Sequence, residues 1–175
     1  LNLGLNEKTV EGFAEQTKNP RFSWDSYRRF IQLFGKVVFG VNDEKFDHVL
    51  DDAKEKQGVT DDSKLSVESL KSIVSKYKKI CEEHTKRKFP DTPNEQLVLS
   101  IEAVFKSWMG ERAIVYREKN NITKDIANGT AVNVVTMVFG NMGDDSATGV
   151  VFTRNGHNGK KEIEGEYLIN AQGED

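Results

Sequence analysis

Amino-acid usage changes near residue 129, and this change constrains the fold more than any other feature. Residues 42–129 carry 16 basic and 17 acidic side chains, whereas residues 130–175 carry 3 and 7. Half of the 14 glycines follow residue 139. A charge-dense region with apolar residues at helical spacing favours amphipathic helices, and a glycine-rich, β-branched region favours strands and turns. We therefore predict an α+β chain, with a mainly helical domain over residues 1–129 and a β-rich domain, an antiparallel β segment, over residues 130–175.

Apolar residues recur at helical spacing throughout the first region. After Pro20 they form one stripe that continues to Val41, with the aromatic residues predicted in the core and the charged residues mostly on the opposite face. Thr92-Pro93-Asn94-Glu95 is the clearest helix start, because the threonine accepts a bond from a first-turn N–H and the glutamate reaches back to the cap. The predicted helices cover about residues 8–16, 20–41, 43–56, 66–81 and 93–108, and another follows Gly110 over residues 112–117.

The second region has the composition of a sheet. Residues 131–139 are β-branched and almost continuously apolar, which predicts a buried strand. Residues 149–153 and 162–169 predict two more strands, and residues 155–159 between them are typical of a hairpin turn.

The overall composition argues against several classes of function. The net charge is −3, which gives no electrostatic reason to expect binding to nucleic acid or to an anionic membrane. No apolar run approaches the ~20 residues of a membrane span. The chain has a single cysteine, Cys81, and this low cysteine content fits a reducing, cytoplasm-like compartment. Cys81 lies on an apolar helical stripe and is predicted to be a core residue. The three histidines lack metal-ligand spacing and are predicted to be exposed: His48, His84 and His157.

The segment 140–149 is the best candidate for chemistry in the residues themselves. It has about nine residues, whereas two to five suffice to join two strands. Its glycines allow backbone N–H groups to approach a ligand, and Ser146 and Thr148 add hydroxyl donors, so the loop could close over phosphates. Asp144 and Asp145 would repel phosphate unless a cation intervened. The pattern alone favours the other interpretation, an ordinary hairpin connection.

Acidic residues form a second candidate set. Glu162, Glu164 and Glu166 are spaced by two, which places them on one face of a strand, and a solvated face explains them best. Glu174 follows a predicted strand directly, at a position where carboxylates often meet a ligand or a metal ion.

Five segments resemble one known family, the pyruvate phosphate dikinases. The most specific is Gly165-Glu166-Tyr167-Leu168-Ile169-Asn170-Ala171-Gln172-Gly173-Glu174-Asp175. The others are residues 20–30, 112–117, 130–141 and 146–155. The resemblance covers essentially the whole chain.

This resemblance implies that the chain is an interior piece of an ATP-grasp nucleotide-binding domain. Enzymes of the family interconvert ATP, phosphate and pyruvate with AMP, pyrophosphate and phosphoenolpyruvate through a phosphohistidine carried on another domain. The motif of that histidine is absent here, so none of the three histidines is expected to take its role. The fragment alone is expected to be inactive, because half of the ATP-grasp domain is expected to be missing from it. Mg²⁺ is expected with ATP, the other domains of the enzyme are the expected partners, and the full-length protein is expected to be a cytoplasmic homodimer, or organellar in a eukaryote. The lysine and arginine part of the ATP site is expected before Leu1, and the main metal-binding carboxylates after Asp175.

The resemblance also assigns the nucleotide site to individual positions. Thr136, Met137 and Val138 match a strand whose backbone faces adenine. Thr148 and Gly149 match the glycine loop near the phosphates, and Glu174 matches a carboxylate near the ribose. Val135 departs from the family's usual glutamine, and Gly156 stands where Asn-Pro is usual, so that turn is expected to be looser. The six positions are Thr136, Met137, Val138, Thr148, Gly149 and Glu174.

Two alternatives remain open from the sequence. The first is a segment of a phosphoenolpyruvate synthase, a related enzyme whose discriminating domains are not contained in this chain. The second is a non-catalytic scaffold or interaction module, in which the helical region 42–129 would matter more than the strands.

Overall fold

The computed structural model describes residues 1–173. It divides into two compact units, Leu1–Val134 and Val135–Asp175. The first unit is helical and the second contains a two-stranded antiparallel sheet, so the α+β class is confirmed. The predicted domain boundary at residue 129 stays a prediction, because a division into compact units does not test it as a functional boundary.

The helices lie where the apolar periodicity predicts them. Six α-helices and a short 3-10 helix make up the described part of the first unit: α1 (Glu7–Thr17), α2 (Pro20–Val37), α3 (Glu44–Gln57), the 3-10 helix (Asp62–Lys64), α4 (Val67–Thr85), α5 (Pro93–Ser107) and α6 (Glu111–Lys119). Helix α2 ends four residues before the predicted Val41, because the chain turns through Gly40, whose φ is +71°. Val41 is nevertheless buried, and its N–H donates to the carbonyl of Gly35 at 2.9 Å.

Short-range capping explains the helix starts. Thr92 Oγ1 accepts from the N–H of Glu95 at 3.3 Å, and the Glu95 carboxylate accepts from the N–H of Thr92 at 3.4 Å. Ser66 caps α4 by accepting from the N–H of Ser69 at 3.1 Å. These bonds pair N–H groups that have no partner within the helix.

Helix α2 lies at the centre of the helical unit and packs against α1 and α4, while α3 packs against α4. The aromatic residues that were predicted in the core are buried, and Phe30, Phe34, Phe39 and Phe89 contact one another edge to face with ring centroids 5.1 to 6.2 Å apart. Such ring pairs add a modest attraction beyond the burial of their area. Cys81 is buried in the same cluster, as predicted.

One ionic contact departs from the predicted amphipathic pattern of α2. Asp25 and Arg28 are buried and form an ion pair at 2.5 Å, although their spacing assigned them to the polar face. The segment at Asp62 covers them: its carboxylate lies 3.5 Å from Arg28, and its carbonyl accepts from Arg21 at 2.7 Å. A buried pair of this kind is costly to break, because the remaining charge is left without a partner.

The second unit contains two strands, β1 (Ala147–Phe152) and β2 (Glu164–Ile169). They pair antiparallel, with Ala147 opposite Ile169 and Phe152 opposite Glu164. The second and third predicted strands and the turn between them are thereby confirmed. Both strands are exposed, apart from the partly buried Thr148.

The predicted buried strand over residues 131–139 is wrong. These residues form no strand, and Val135 and Val138 are 82% and 86% exposed. A strand needs a neighbour for its backbone and a surface for its side chains, and within residues 1–173 β1 and β2 pair only with each other. High β-propensity describes how well a side chain fits a half-buried sheet, and it does not provide the sheet.

Candidate functional site

Two of the predicted site residues, Thr148 and Gly149, lie together in the first half of β1. They face a cavity of about 320 Å³ that runs along the sheet of the second unit. In the described chain this cavity is lined by Thr148, Gly149, Val150, Glu166, Tyr167, Leu168, Gln172 and Gly173.

The close pairing of the two strands requires glycine at position 149. A Cβ there would lie 2.7 Å from the carbonyl oxygen of Glu166, closer than real Cβ atoms approach, and 3.0 Å from the Cβ of Tyr167, which is tighter than most real contacts. The pairing of β1 with β2 is therefore enough to explain the glycine at position 149. It also leaves this part of the cavity wall to backbone atoms, as a close approach to a ligand requires.

The loop before β1 is held by its ends. At Gly140 an added Cβ would lie 2.4 Å from the carbonyl oxygen of Ala171 and 2.7 Å from that of Ala147. The carbonyl of Ser146 accepts from the N–H of Asn170 at 2.8 Å, and the N–H of Ser146 donates to Gly143 at 3.0 Å. Since residues 131–139 are not a strand, this segment does not join two strands as predicted. It packs instead against the segment that follows β2.

Sequence reasoning missed Gln172 as a site residue. Its side chain is buried, only 5% of the residue is exposed, and its Nε2 donates to Asn141 Oδ1 at 3.0 Å. It thus links the loop before β1 to the cavity wall. The sequence signal that could have identified Gln172 is its position shortly after β2, which was used only to predict Glu174 as a site residue. Glu174 itself lies outside the described residues.

The remaining predicted positions lie elsewhere in the same unit. Thr136, Met137 and Val138 are exposed and belong to no helix or strand, and among residues 135–173 they do not line the cavity beside Thr148. The structure therefore brings together two of the six predicted positions. Their assignment to adenine, phosphate and ribose stays a prediction.

The chemistry of the cavity is that of a neutral to acidic surface. Its described lining includes the hydroxyl-bearing Thr148 and Tyr167, the amide of Gln172 and backbone groups, and its one carboxylate belongs to Glu166. No lysine or arginine of the described chain lines it, so a phosphate placed there would need its charge neutralised from elsewhere. Residues 1–173 also hold no cluster of three or more His, Cys, Asp or Glu side chains suited to a metal ion.

Two partly or fully buried groups of the helical unit, Cys81 and Lys78, have shifted pKa values. Burial raises the pKa of the Cys81 thiol to about 12, so the thiol stays protonated. Burial opposes the charge on Lys78, but contact with Tyr27 and ion pairs with Glu7 at 2.9 Å and Asp91 at 3.2 Å outweigh it and raise the pKa of the ammonium. These groups stabilise the fold, and none of them lines the cavity.

No helix within residues 1–173 has the length and apolar character to cross a membrane.

Comparison with known proteins agrees with the sequence pattern. The family model described as pyruvate phosphate dikinase, AMP/ATP-binding domain matches residues 62–175, a range that includes the described β unit. The chain is 53% identical over 175 residues to a pyruvate, phosphate dikinase of Entamoeba histolytica, and 53% identical over 176 residues to one of Clostridium symbiosum. It is 51% identical over 175 residues to the chloroplastic pyruvate, phosphate dikinase 1 of Arabidopsis thaliana.

The matches cover all of this chain but only part of each relative. The chain spans 20%, 20% and 18% of the length of these three relatives, about a fifth in each case. The family model nevertheless covers well over half of the chain. The chain therefore belongs to the family of the pyruvate phosphate dikinase AMP/ATP-binding domain.

Proposed function

We propose that this chain forms part of the ATP-binding domain of a pyruvate phosphate dikinase. The observation that carries the proposal is the family match: an AMP/ATP-binding model extends over the unit that holds the Thr148–Gly149 cavity. The proposed domain is of the ATP-grasp type. The chain is a contributor to the nucleotide site and not the whole of it.

The proposed reaction of the complete enzyme interconverts ATP, phosphate and pyruvate with AMP, pyrophosphate and phosphoenolpyruvate. A phosphohistidine on another domain carries the phosphoryl group. Positioning and charge neutralisation dominate catalysis of phosphoryl transfer, so a cavity without cationic side chains is insufficient by itself. The isolated chain is accordingly expected not to turn over.

The proposed nucleotide contacts follow from the residues present. Thr148 is proposed to offer a hydroxyl to the phosphates, and Gly149 a stretch of cavity wall without a side chain. Residues 136–138, which are exposed and outside the two strands, are proposed to face adenine, and the Met137 side chain can pack on the ring face. Glu174 is proposed to lie near the ribose.

Mg²⁺ belongs to this proposal as a companion of the ATP phosphates. The described residues contain no ligand cluster for it, so they do not fit a resident metal site and no step is assigned to them through the metal. The other domains of the enzyme are proposed as partners, with a homodimer as the assembly. The proposed location is the cytoplasm, or an organelle if the source is eukaryotic.

A hydroxyl deletion tests the phosphate contact. In the full-length enzyme, Thr148→Val keeps the side-chain shape, removes the hydroxyl and is expected to raise the KM for ATP, while Thr153→Val, on the same hairpin but outside the cavity, leaves it unchanged. In the isolated chain, Mg-ATP is expected to shift the backbone NMR signals of Thr148 and Gly149. Equal KM values for both variants, or AMP formation by the isolated chain from ATP, pyruvate and phosphate, would contradict the proposal.

A second candidate function is that of an interaction module, in which the chain packs against neighbouring domains of the same protein. Exposed apolar side chains on α5, on α6 and in the turn between them favour it, among them Val98, Phe105, Met109 and Tyr116. A groove of about 670 Å³ also lies beside α5. If the chain is an interaction module, Mg-ATP is expected to leave the NMR signals of the β unit unchanged. Phe105→Ser is then expected to weaken the packing between this chain and the neighbouring domains of the full-length protein, without changing the KM for ATP.

A further inference from the structure

The connection between β1 and β2 contains two Asn-Gly pairs, Asn155-Gly156 and Asn158-Gly159. Asn155 is partly buried, and the other three residues are exposed. An asparagine before glycine is prone to cyclise, because glycine has no Cβ to hinder the approach of its nitrogen to the side-chain amide. The two pairs are the same in sequence, so a difference in their reactivity must come from the geometry of the turn.

The side-chain amide of Asn155 is polarised by the turn. Its Oδ1 accepts from the N–H of His157 at 2.9 Å and from the N–H of Asn158 at 3.1 Å. Attack on the amide carbon places negative charge on this oxygen, and two backbone N–H groups already point at it. Asn158 Oδ1 accepts from one backbone N–H in the described chain, that of Lys160 at 2.9 Å.

The two attacking nitrogens also differ. The N–H of Gly156 donates to Glu164 Oε2 at 3.2 Å, so a carboxylate is positioned to take its proton. The N–H of Gly159 donates to the carbonyl oxygen of Asn155 at 2.9 Å. A peptide oxygen is a much weaker base than a carboxylate, and this bond closes the turn.

We propose that Asn155 is a site of self-catalysed deamidation, with Glu164 as the base. A bond forms between Gly156 N and Asn155 Cγ, and Glu164 accepts the proton from the attacking nitrogen. The bond between Cγ and the side-chain nitrogen then breaks, and this nitrogen leaves as ammonia with the proton that Glu164 returns. Water opens the resulting succinimide at either carbonyl. One asparagine and one water thus give aspartate or isoaspartate and ammonia.

The product alters the hairpin locally. Either product adds a negative charge close to Glu164, which opposes the Gly156–Glu164 contact, and isoaspartate also adds a methylene to the main chain. Asn155 additionally holds the turn through its own N–H, which donates to Lys160 at 3.0 Å. The modification therefore loosens the connection between β1 and β2.

Peptide mapping of the purified protein tests the order of the two sites. After incubation at mildly alkaline pH, tryptic digestion yields a peptide of residues 155–160 that carries both asparagines, and fragmentation assigns the modified position. Conversion at Asn155 is expected to outrun conversion at Asn158 by roughly threefold or more, well below the ~10²–10⁴ of a base in an enclosed active site. Equal rates, or a faster rate at Asn158, overturn the proposal.

Three variants separate the role of the base from that of the turn. Glu164→Gln is expected to lower the deamidation rate of Asn155 by roughly three- to tenfold, because a neutral amide is a far weaker base than a carboxylate. The deamidation rate of Asn158 is expected to stay unchanged. Glu162→Gln, on the same connection, is the matched control and is expected to change neither site. Gly156→Ala is expected to suppress conversion at Asn155 with the turn intact, since its Cβ would meet no atom within 4 Å. Backbone NMR of the hairpin monitors the fold, and a Glu164→Gln effect that is absent or equal at both sites refutes the assignment of the base.

Discussion

One buried side chain, that of Gln96, bonds three backbone groups from two segments of the helical unit, Gly4–Leu5 and Pro90. Its Oε1 accepts from the N–H of Gly4 at 2.8 Å, and its Nε2 donates to the carbonyls of Leu5 and Pro90, both at 3.0 Å. The residue is fully buried. We predict that Gln96→Leu, which keeps most of the volume and removes every polar atom, strongly destabilises this unit.

The magnitude follows from the groups that lose their partner. A buried polar group left without a hydrogen bond costs about 1–3 kcal/mol. Gly4 is only partly buried and can regain water, whereas Leu5 and Pro90 are buried. We therefore expect the free energy of unfolding to fall by about 3 kcal/mol, which lowers the urea midpoint by roughly 1–2 M.

Gln57 is the matched control, because it also makes three hydrogen bonds but is exposed. Its Nε2 donates to Lys64 at 2.8 Å, and its Oε1 accepts from Ser66 at 2.9 Å and Ser69 at 2.7 Å. Water can replace these partners, so Gln57→Leu is expected to cost less than about 1 kcal/mol. Urea unfolding, followed by circular dichroism and tryptophan fluorescence, measures both variants. Equal losses would show that the number of hydrogen bonds matters and their burial does not, and would refute the reasoning.

Three further predictions concern packing, pH and thiol reactivity. Gly35→Ala places a Cβ 2.6 Å from the ring of Phe46 and is expected to lower the free energy of unfolding by about 1–3 kcal/mol. Gly12→Ala, in α1, adds a Cβ that meets no atom within 4 Å and is expected to raise the free energy of unfolding by about 0.5–1 kcal/mol. Thermal unfolding of both variants measures the two changes. The hydrogen bond from Lys36 holds the pKa of Asp43 below its ordinary value, so this pair stabilises the fold above the unfolded pKa of the carboxyl and the effect is lost as pH falls through the lower, folded pKa. Asp43→Asn is therefore expected to destabilise the protein by less than about 1 kcal/mol at neutral pH, and the difference from wild type should vanish in acid; urea midpoints across that range measure it. Burial raises the pKa of Cys81 to about 12, so a thiol reagent is expected to label the unfolded chain rapidly and the native chain only slowly; rapid native labelling would contradict the burial.

Local signals predicted the elements whose stabilising interactions are themselves local. The cap at Thr92 uses atoms within three residues, and the stripe after Pro20 needs only helical geometry to gather its apolar side chains. The turn at residues 155–159 likewise forms through the hydrogen bonds of its own Asn155. These features are readable from the sequence because the atoms that form them are neighbours in the chain.

Two errors have the opposite cause. Residues 131–139 have the composition of a buried strand, but a strand forms only against a partner, and the described chain gives them none. Asp25 and Arg28 have the spacing of a polar face, but a segment some 35 residues further on covers them. Local propensity could not reveal either outcome, because each depends on which distant residues come into contact.

The sequence by itself determined the helices, their caps, the hairpin and the family, because each of these rests on short-range geometry or on a string of residues long enough to be specific. Only the tertiary structure decided which polar groups are buried, that Gln172 reaches Asn141 and that Thr148 and Gly149 share a cavity from which residues 136–138 of the described chain are absent. The physical reason is that burial and cavities are made by residues that are distant in sequence, so no single stretch of the chain contains the information.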